Sequence, residues 1–330
     1  MKKEINASII GTGSYLPAKV LTNKDLESMV DTSDEWITTR TGIKERHIAE
    51  DDEYTSDMGA KAAMQALHSA GKKPSAIDLI IVATITPDML FPSTACFIQD
   101  KIGAKNAACF DIGAACSGYI YAIEIAKRLV ETGSHNTILI IAAEKLSAIT
   151  DWTDRNTCVL FGDGAGACVI SGEETGKPRI LCTYTGADSS AAELLMMPGG
   201  GTRFPASIQT VEKKLHFLKM EGREVFKNAV LSMYKAAERI MKKCDVKIDE
   251  INCFLPHQAN IRIIDAVAKK IGIAKEKIHL NVQKFGNMSA ATVAVGLDEV
   301  FRGWNLKPGD KMLVDAFGAG FTFGSLIIEW

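Results

Sequence analysis

The feature that most constrains the fold is an internal echo. Ile77-Asp78-Leu79-Ile80 parallels Ile248-Asp249-Glu250-Ile251, and each enters an apolar, strand-like run after a long helical pattern. Phe161-Gly162-Asp163-Gly164 and Phe317-Gly318-Ala319-Gly320 each precede a strand that closes its half. Cys116 and Asn287 each sit just before a helix that ends in a short loop and then an apolar strand. Such self-similarity predicts a duplication. Helices alternating with buried strands predict a layered α/β architecture, with helices on both faces of mixed sheets. The polar break at residues 172–178, with Glu173, Glu174 and Lys177, divides an N-terminal half (1–173) from a C-terminal half (174–330). If the halves pack as pseudo-twins, their corresponding junctions meet, and Cys116 and Asn287 share a centre.

Bulk properties exclude several classes. At 330 residues the chain can build a large core. A net charge of −2 offers no basic excess for nucleic acid. No apolar run approaches the ~20 residues of a membrane span. Met1-Lys2-Lys3-Glu4 leads straight into a strand-like run, so no leader is expected. Cysteines 96, 109, 116, 158, 168, 182, 244 and 253 lack CxxC spacing, which implies neither a zinc site nor a disulfide framework. Reduced thiols in a cytoplasm are expected.

Asp111-Ile112-Gly113-Ala114-Ala115-Cys116-Ser117-Gly118 places a cysteine at a strand-to-helix junction. Unpaired N–H groups and the helix dipole would lower its pKa. A cysteine among small residues is also the mark of inert packing. His257 follows a strand, where α/β proteins place ligands. A thiolate, an imidazole and the Asn287 carboxamide at strand ends would form a nucleophile with two hydrogen-bond donors. Thr32-Ser33-Asp34-Glu35 has capping-box spacing, with Trp36 and Arg40 one turn apart. That pair fits either an ordinary surface helix or a platform for a flat, anionic ligand such as an adenine nucleotide. Gly11-Thr12-Gly13-Ser14 reads as a turn without a dinucleotide fingerprint. Residues 186–207, centred on Gly199-Gly200-Gly201, read as a mobile surface loop.

Taken together, these motifs resemble the β-ketoacyl-acyl-carrier-protein synthase III family of the thiolase superfamily, over essentially the whole chain. The resemblance is carried by Thr32-Ser33-Asp34-Glu35-Trp36-Ile37 with Arg40-Thr41-Gly42-Ile43, Ala114-Ala115-Cys116-Ser117-Gly118, Asp154-Arg155-Asn156-Thr157 and Phe161-Gly162-Asp163-Gly164-Ala165-Gly166. In the second half it is carried by Pro256-His257-Gln258-Ala259-Asn260, Gly286-Asn287 with Ser289-Ala290-Ala291, and Phe317-Gly318-Ala319-Gly320-Phe321. It implies a duplicated thiolase-like, five-layered αβαβα fold and an acyltransferase. Cys116 would take an acyl group from acyl-CoA. Malonyl on an acyl carrier protein would then lose CO2 and attack that thioester, with His257 and Asn287 donating to the malonyl thioester oxygen. The N–H groups of Cys116 and Ala319 would form the oxyanion hole. Trp36 and Arg155 would sandwich the CoA adenine, with Arg40 near its phosphates and Phe226 and Asn260 along the ligand. Gln258, Ala259, Asn260, Ile261 and Arg262, with Lys227, Lys269 and Lys270, would receive the carrier protein. Phe91 would floor the partner's acyl pocket across a homodimer. No metal and no cofactor are implied, since acyl-CoA and malonyl-carrier protein are substrates. No nucleic acid or membrane is implied either.

Met288, Phe285 and Arg223 depart from the commonest pattern of that family, as does Ala319 in a turn that is often all glycine. The relatives weighed against this reading differ in recognisable ways. Hydroxymethylglutaryl-CoA synthases use a glutamate base, degradative thiolases a second late cysteine, and chalcone-synthase-like enzymes are usually longer and lack the Trp36/Arg155 pair. A related starter enzyme for a specialised product is the runner-up. A cysteine thioesterase and a non-catalytic CoA-binding module are the readings from other classes.

Overall fold

The computed structural model describes residues 5–172 and 176–330. The division between residues 173 and 174, like Met1-Lys2-Lys3-Glu4, lies outside the described residues.

Nine strands form one sheet. In chain order they are β1 (Ala7–Tyr15), β2 (Leu79–Ala83), β3 (Ala108–Ile112), β4 (Thr137–Lys145), β5 (Asp163–Gly172), β6 (Arg179–Ala187), β7 (Ile251–Pro256), β8 (Lys311–Gly318) and β9 (Thr322–Glu329). The main helices are α1 (Asp34–Thr41), α2 (Thr55–Ala70), α3 (Thr94–Ile102), α4 (Gly118–Glu131), α5 (Gly222–Cys244), α6 (Ile261–Ile271) and α7 (Ala291–Gly303). The strand order is β7-β8-β9-β6-β1-β5-β4-β2-β3.

The duplication is visible in that order. β1 and β6 meet through a single residue pair, Ser8 and Arg179. Outward from this seam the first half runs antiparallel to β5, antiparallel to β4, then parallel to β2 and β3. The second half runs antiparallel to β9, antiparallel to β8, then parallel to β7. A lone parallel bridge from Phe254 to Ile278 stands where a fifth strand would be.

Three large apolar cores hold the five layers together, the middle one spanning both faces of the central helices. In β2 all five residues, Leu-Ile-Ile-Val-Ala, are buried. A strand covered on both faces reads as such an unbroken apolar run. Ile80 and Val82 pack under Ala62 and Leu67 of α2 and Ile98 of α3. Leu79 and Ile81 face the middle layer, with Tyr119 and Ile123 of α4 and Val293 and Leu297 of α7. Met233 and Ile240 of α5 and Ile264 and Val267 of α6 cover the other half against Phe254 and Leu313. The central layer therefore holds the two helices that Cys116 and Asn287 precede.

Four local expectations are corrected. Gly11-Thr12-Gly13-Ser14 is not a turn but part of β1, which continues to Tyr15. The glycines serve close packing: a Cβ on Gly13 would lie 2.4 Å from the Ala66 nitrogen and 2.5 Å from the Ala62 oxygen of α2. The α1 cap is Ser33, whose hydroxyl accepts from the Trp36 N–H at 3.1 Å, without the reciprocal bond of a capping box. Residues 186–207 are tied down: Leu195 and Met196 pair with Met220 and Lys219, and the Gly199 N–H donates to the Leu215 oxygen at 2.7 Å. Finally, Cys182 on β6 and Cys244 at the end of α5 are joined as a disulfide, with Cα atoms 6.2 Å apart. Their separation of 62 residues is closed only by packing α5 onto the sheet, so no local spacing announces it.

The Gly13 contact gives a direct stability test. Gly13→Ala should cost at least about 2 kcal/mol through overpacking. Gly113→Ala, where a Cβ meets nothing within 4 Å, should change stability by no more than about 0.5 kcal/mol. Urea unfolding monitored by circular dichroism separates the two.

Candidate active site

Cys116 lies in a three-residue 3-10 turn, Ala115–Ser117, between β3 and α4. Ala115 has φ +44°, a left-handed conformation that costs a non-glycine residue about 1–2 kcal/mol. The surroundings enforce it. The Ala114 carbonyl accepts from the hydroxyls of Ser117 (2.9 Å) and Thr322 (2.8 Å). The end of β8 presses on the same turn, where a Cβ on Gly318 would lie 2.6 Å from the Cys116 nitrogen. Only glycine permits that approach. The next residue, Ala319, lines the cavity with Cys116. Its N–H has no protein partner among the described residues.

The thiol does not have the lowered pKa that its place before a helix suggests. Burial pushes it up to about 12, and the nearby Glu144 carboxyl adds to the rise, while the Ser289 hydroxyl opposes it. A helix N-terminus supplies about 0.3–1 kcal/mol, less than the lost hydration of a thiolate.

His257 follows the last residue of β7, and its N–H donates to the Asp315 oxygen at 2.8 Å. Burial alone drives the imidazole pKa down to about 3, so the ring is neutral near pH 7. Its Nδ1 lies 2.6 Å from the Thr292 hydroxyl of α7. That hydroxyl also lies 2.9 Å from the Ser289 carbonyl. Donated to Nδ1, the Thr292 proton leaves the ring proton on Nε2. Donated to Ser289, it requires Nδ1 to be the protonated nitrogen.

Asn287 is pinned by its backbone. Its N–H donates to the Leu160 oxygen (2.9 Å) and its carbonyl accepts from the Gly162 N–H (3.1 Å). Its Oδ1 accepts from the Ser289 N–H at 2.9 Å, and its Nδ2 has no protein partner among the described residues. Behind this loop lies a fully buried Arg46. It donates to the Leu21 (3.1 Å) and Val159 (2.8 Å) carbonyls and to Asn23 Oδ1 (3.0 Å). Desolvation lowers its pKa to about 10, so it remains a cation.

One cavity of about 1050 Å³ is lined by Cys116, His257, Asn287 and Ala319, and also by Trp36, Arg40, Arg223, Phe226, Asn260 and Arg262. Its apolar wall includes Ile85, Leu146, Phe161, Leu195 and Leu218. At Trp36 the guanidinium groups of Arg155 and Arg40 lie 4.6 Å and 4.9 Å from the ring centre. Two stacking contacts need about 7 Å, so a ring entering between Trp36 and Arg155 requires Arg155 to swing out. Asn260 caps α6 through its Oδ1 (2.8 Å to the Arg262 N–H), and its Nδ2 has no protein partner among the described residues. No group of three or more His, Cys, Asp or Glu among the described residues could hold a metal.

Several expected residues fall elsewhere. Gln258 cannot face a docking partner: it is 0% exposed. Its amide donates to the Pro256 (2.8 Å) and His279 (3.0 Å) carbonyls and accepts from the Asn281 (3.0 Å) and Val282 (3.2 Å) N–H groups. It is a strut that holds the loop carrying His257. Ala259 and Asn260 are half-buried, Ile261 packs against Gly42, and Arg262 is exposed. Phe91 is 83% exposed and lies outside the cavity of its own chain. Of the unusual residues, Met288 is buried in the middle layer, Phe285 packs against His47 with ring centres 5.7 Å apart, and Arg223 and Ala319 line the cavity. Thr292, Arg46, Leu218 and Glu144 carry no motif in the sequence, Ser289 enters it only within Ser289-Ala290-Ala291 and without a role, and Leu195 belongs to the segment read as a mobile loop. Isolated polar residues in apolar runs (Glu144 within Ile140-Ile141-Ala142-Ala143-Glu144) are the signal that could have found the buried ones.

Burial raises the Glu144 pKa from 4.5 to about 7. The folded state therefore holds this proton more tightly than the unfolded chain, so the carboxylate penalises folding fully above pH 7 and not below about pH 4.5. Glu144→Gln should raise unfolding free energy by about 2–3 kcal/mol at pH 8, and the gain should vanish by pH 4.5. Denaturant unfolding across that range checks it.

Similarity to known proteins agrees with this geometry. A family model described as 3-Oxoacyl-[acyl-carrier-protein (ACP)] synthase III matches residues 110–189, and its C-terminal counterpart matches residues 241–330. The chain is 54% identical over 330 residues to the beta-ketoacyl-[acyl-carrier-protein] synthase III of Caldanaerobacter subterraneus subsp. tengcongensis, covering 100% of this chain and 99% of that protein. It is 48% identical over 324 residues to the Clostridioides difficile protein of the same name, covering 98% of each. The crystal structure of 3-oxoacyl-[acyl-carrier-protein] synthase III from Aquifex aeolicus superposes with a TM-score of 0.90 at 48% identity, covering 98% of this chain and 100% of that one. Fold, site and full-length identity thus agree: the chain belongs to the β-ketoacyl-[acyl-carrier-protein] synthase III family of thiolase-like condensing acyltransferases, which initiate fatty acid synthesis.

Proposed function

We propose that Cys116, His257 and Asn287 are the catalytic residues of this condensing acyltransferase, with Cys116 supplied by the N-terminal half and the other two by the C-terminal half. The observation that carries the reading is the single cavity shared by a thiol, two neutral hydrogen-bond donors and a cationic, aromatic mouth. Cys116 attacks the thioester carbonyl of acyl-CoA, the developing oxyanion rests on the N–H groups of Cys116 and Ala319, and the CoA thiolate leaves. Malonyl-carrier protein then enters. The Asn287 Nδ2–H and the His257 Nε2–H donate to its thioester oxygen, CO2 departs, and the enolate carbon attacks the acyl-Cys116 carbonyl. A neutral histidine suits this role in the tautomer that carries its proton on Nε2, which needs the Thr292 hydroxyl to donate to Nδ1. Decarboxylation itself generates the carbanion, so the reaction calls for no metal or cofactor.

Trp36, Arg40, Arg155, Phe226 and Asn260 are assigned to CoA. The Ile85, Leu146, Phe161, Leu195 and Leu218 wall suits an aliphatic acyl chain. Ala259, Asn260, Ile261 and Arg262 at the mouth are assigned to the acyl carrier protein. Leu90 and Phe91, 81% and 83% exposed, support a homodimer in which this loop is covered by the second copy. The substrates are those of the cytoplasm, the compartment we assign.

Intact-mass analysis tests the assignment. Acyl-CoA alone should acylate Cys116, and added malonyl-carrier protein should discharge the adduct as a β-ketoacyl product. Free fatty acid as the sole product would indicate a thioesterase, and no adduct a binding module. His257→Ala and Asn287→Ala should each keep the adduct and lose about 10²–10³ in malonyl decarboxylation. Thr292→Val should also acylate normally but condense at least about tenfold more slowly, because the ring proton is no longer directed to Nε2.

A further inference from the structure

Gln258 stands next to His257, yet the reaction above gives it no part. The hydrogen-bonding capacity of its buried carboxamide is fully used. The two N–H groups meet the Pro256 (2.8 Å) and His279 (3.0 Å) carbonyls, and Oε1 accepts from the Asn281 (3.0 Å) and Val282 (3.2 Å) N–H groups. Turned over, the amide would set its oxygen against two carbonyls and its nitrogen against two N–H groups, so its partners fix its orientation. No other hydrogen bond among the described residues joins the loop 256–260 to the segment 280–287.

That segment leads straight to Asn287. Val282 opens a single helical turn, Val282–Phe285, and the Gln258 oxygen satisfies its first N–H. Gly286 follows at φ +65°, where a Cβ would lie 2.9 Å from the Leu160 oxygen, and the Asn287 N–H donates to that same oxygen. One helical turn and one glycine therefore connect the Gln258 contact to Asn287 without slack. The start of the segment is clamped to α7. Glu299 Oε2 lies 2.9 Å from His279 Nε2 and 2.7 Å from Asn281 Nδ2. The Trp304 indole, a donor only, gives its N–H to His279 Nδ1 at 3.2 Å, which leaves the ring proton on Nε2 facing Glu299. The same α7 carries Thr292, which touches the His257 ring at 2.6 Å. Gln258 thus closes a ring of contacts through the His257 loop, the segment 279–282 and α7.

We propose that Gln258 is a positioning residue that sets the separation of the His257 and Asn287 donors, and so serves condensation and not acyl transfer. This rests on the condensing reading above. The malonyl thioester oxygen must lie about 2.7–3.1 Å from both donors at once. The donors stand on different loops, and a misplacement of about 1 Å costs about 10²-fold in rate. Thr292 meets the His257 ring, whereas Gln258 holds the two loops at their spacing. Acyl transfer draws instead on the N–H groups of Cys116 and Ala319, which the Gln258 hydrogen bonds do not reach.

Gln258→Met, similar in length but without the four hydrogen bonds, tests this in the full-length protein. Intact-mass kinetics with acetyl-CoA should show Cys116 acylated within about twofold of the wild-type rate, while CO2 release from malonyl-carrier protein should lose at least about tenfold in kcat with KM nearly unchanged. A docking role for Gln258 would raise KM at constant kcat, and a role in folding alone would lower both half-reactions together. Either result overturns the proposal. If Gln258→Met does not fold, Gln258→Glu decides. It keeps both accepted bonds and, as the neutral acid, one donated bond, so it should show the same split at smaller size, and wild-type CO2 release there overturns the proposal too. His257→Ala and Asn287→Ala separate this from the parent reading. If both release CO2 at the wild-type rate, the parent reading fails. If they do not and Gln258→Met does, the role of Gln258 alone fails.

Discussion

The site depends on the packing of α4 and α7 side by side in a dry middle layer. Both helices are apolar enough to be buried between the two halves of the sheet, and together they fill that layer with Tyr119, Ile123, Val293 and Leu297. Two helices confined in this way present their N-terminal turns at one place. Those turns carry Cys116 and Asn287. The convergence of residues 171 positions apart in sequence thus follows from core packing rather than from any contact between the functional groups themselves. The same packing requires small residues, and the glycine of Phe317-Gly318-Ala319-Gly320 lets β8 run against the Cys116 turn.

Enclosure sets the protonation of the site as firmly as any charge does. It keeps His257 neutral, the Cys116 thiol protonated and Glu144 poised near neutrality. A site built from a charged imidazole would favour a different division of labour, with the histidine as an acid. Here burial keeps the imidazole neutral, and its tautomer is tied to where the Thr292 hydroxyl proton points. Water exclusion also suits the carbanion that decarboxylation releases, since bulk water would protonate it.

Much of this was legible in the sequence because it depends on period and order. The paired Ile-Asp motifs, the unbroken Leu-Ile-Ile-Val-Ala run and the Phe-Gly turns mark equivalent points in two halves, and the sheet reproduces that equivalence strand by strand. Cys116, His257 and Asn287 stood out because each occupies a strand end or helix start. What escaped was long-range. Gln258 looks like a surface amide until the backbone groups of residues 279–282 come round to meet it. Gly11 and Gly13 read as a turn because the helix that presses on them is some 50 residues away in sequence. The Cys182–Cys244 disulfide likewise joins residues whose spacing carries no periodic signal.

The Arg155–Trp36 stack at the cavity mouth has a consequence for occupancy. In the free protein the flat face of Trp36 is already taken by a guanidinium, which among the described residues is tethered elsewhere only by a 3.4 Å contact to Asp31. Any ring that comes to lie between them exchanges with an internal ligand rather than adding to bare surface. The mouth thus behaves as its own weak competitor. Its selectivity is set by the difference between two stacked states, so a group that stacks no better than arginine gains nothing by entering.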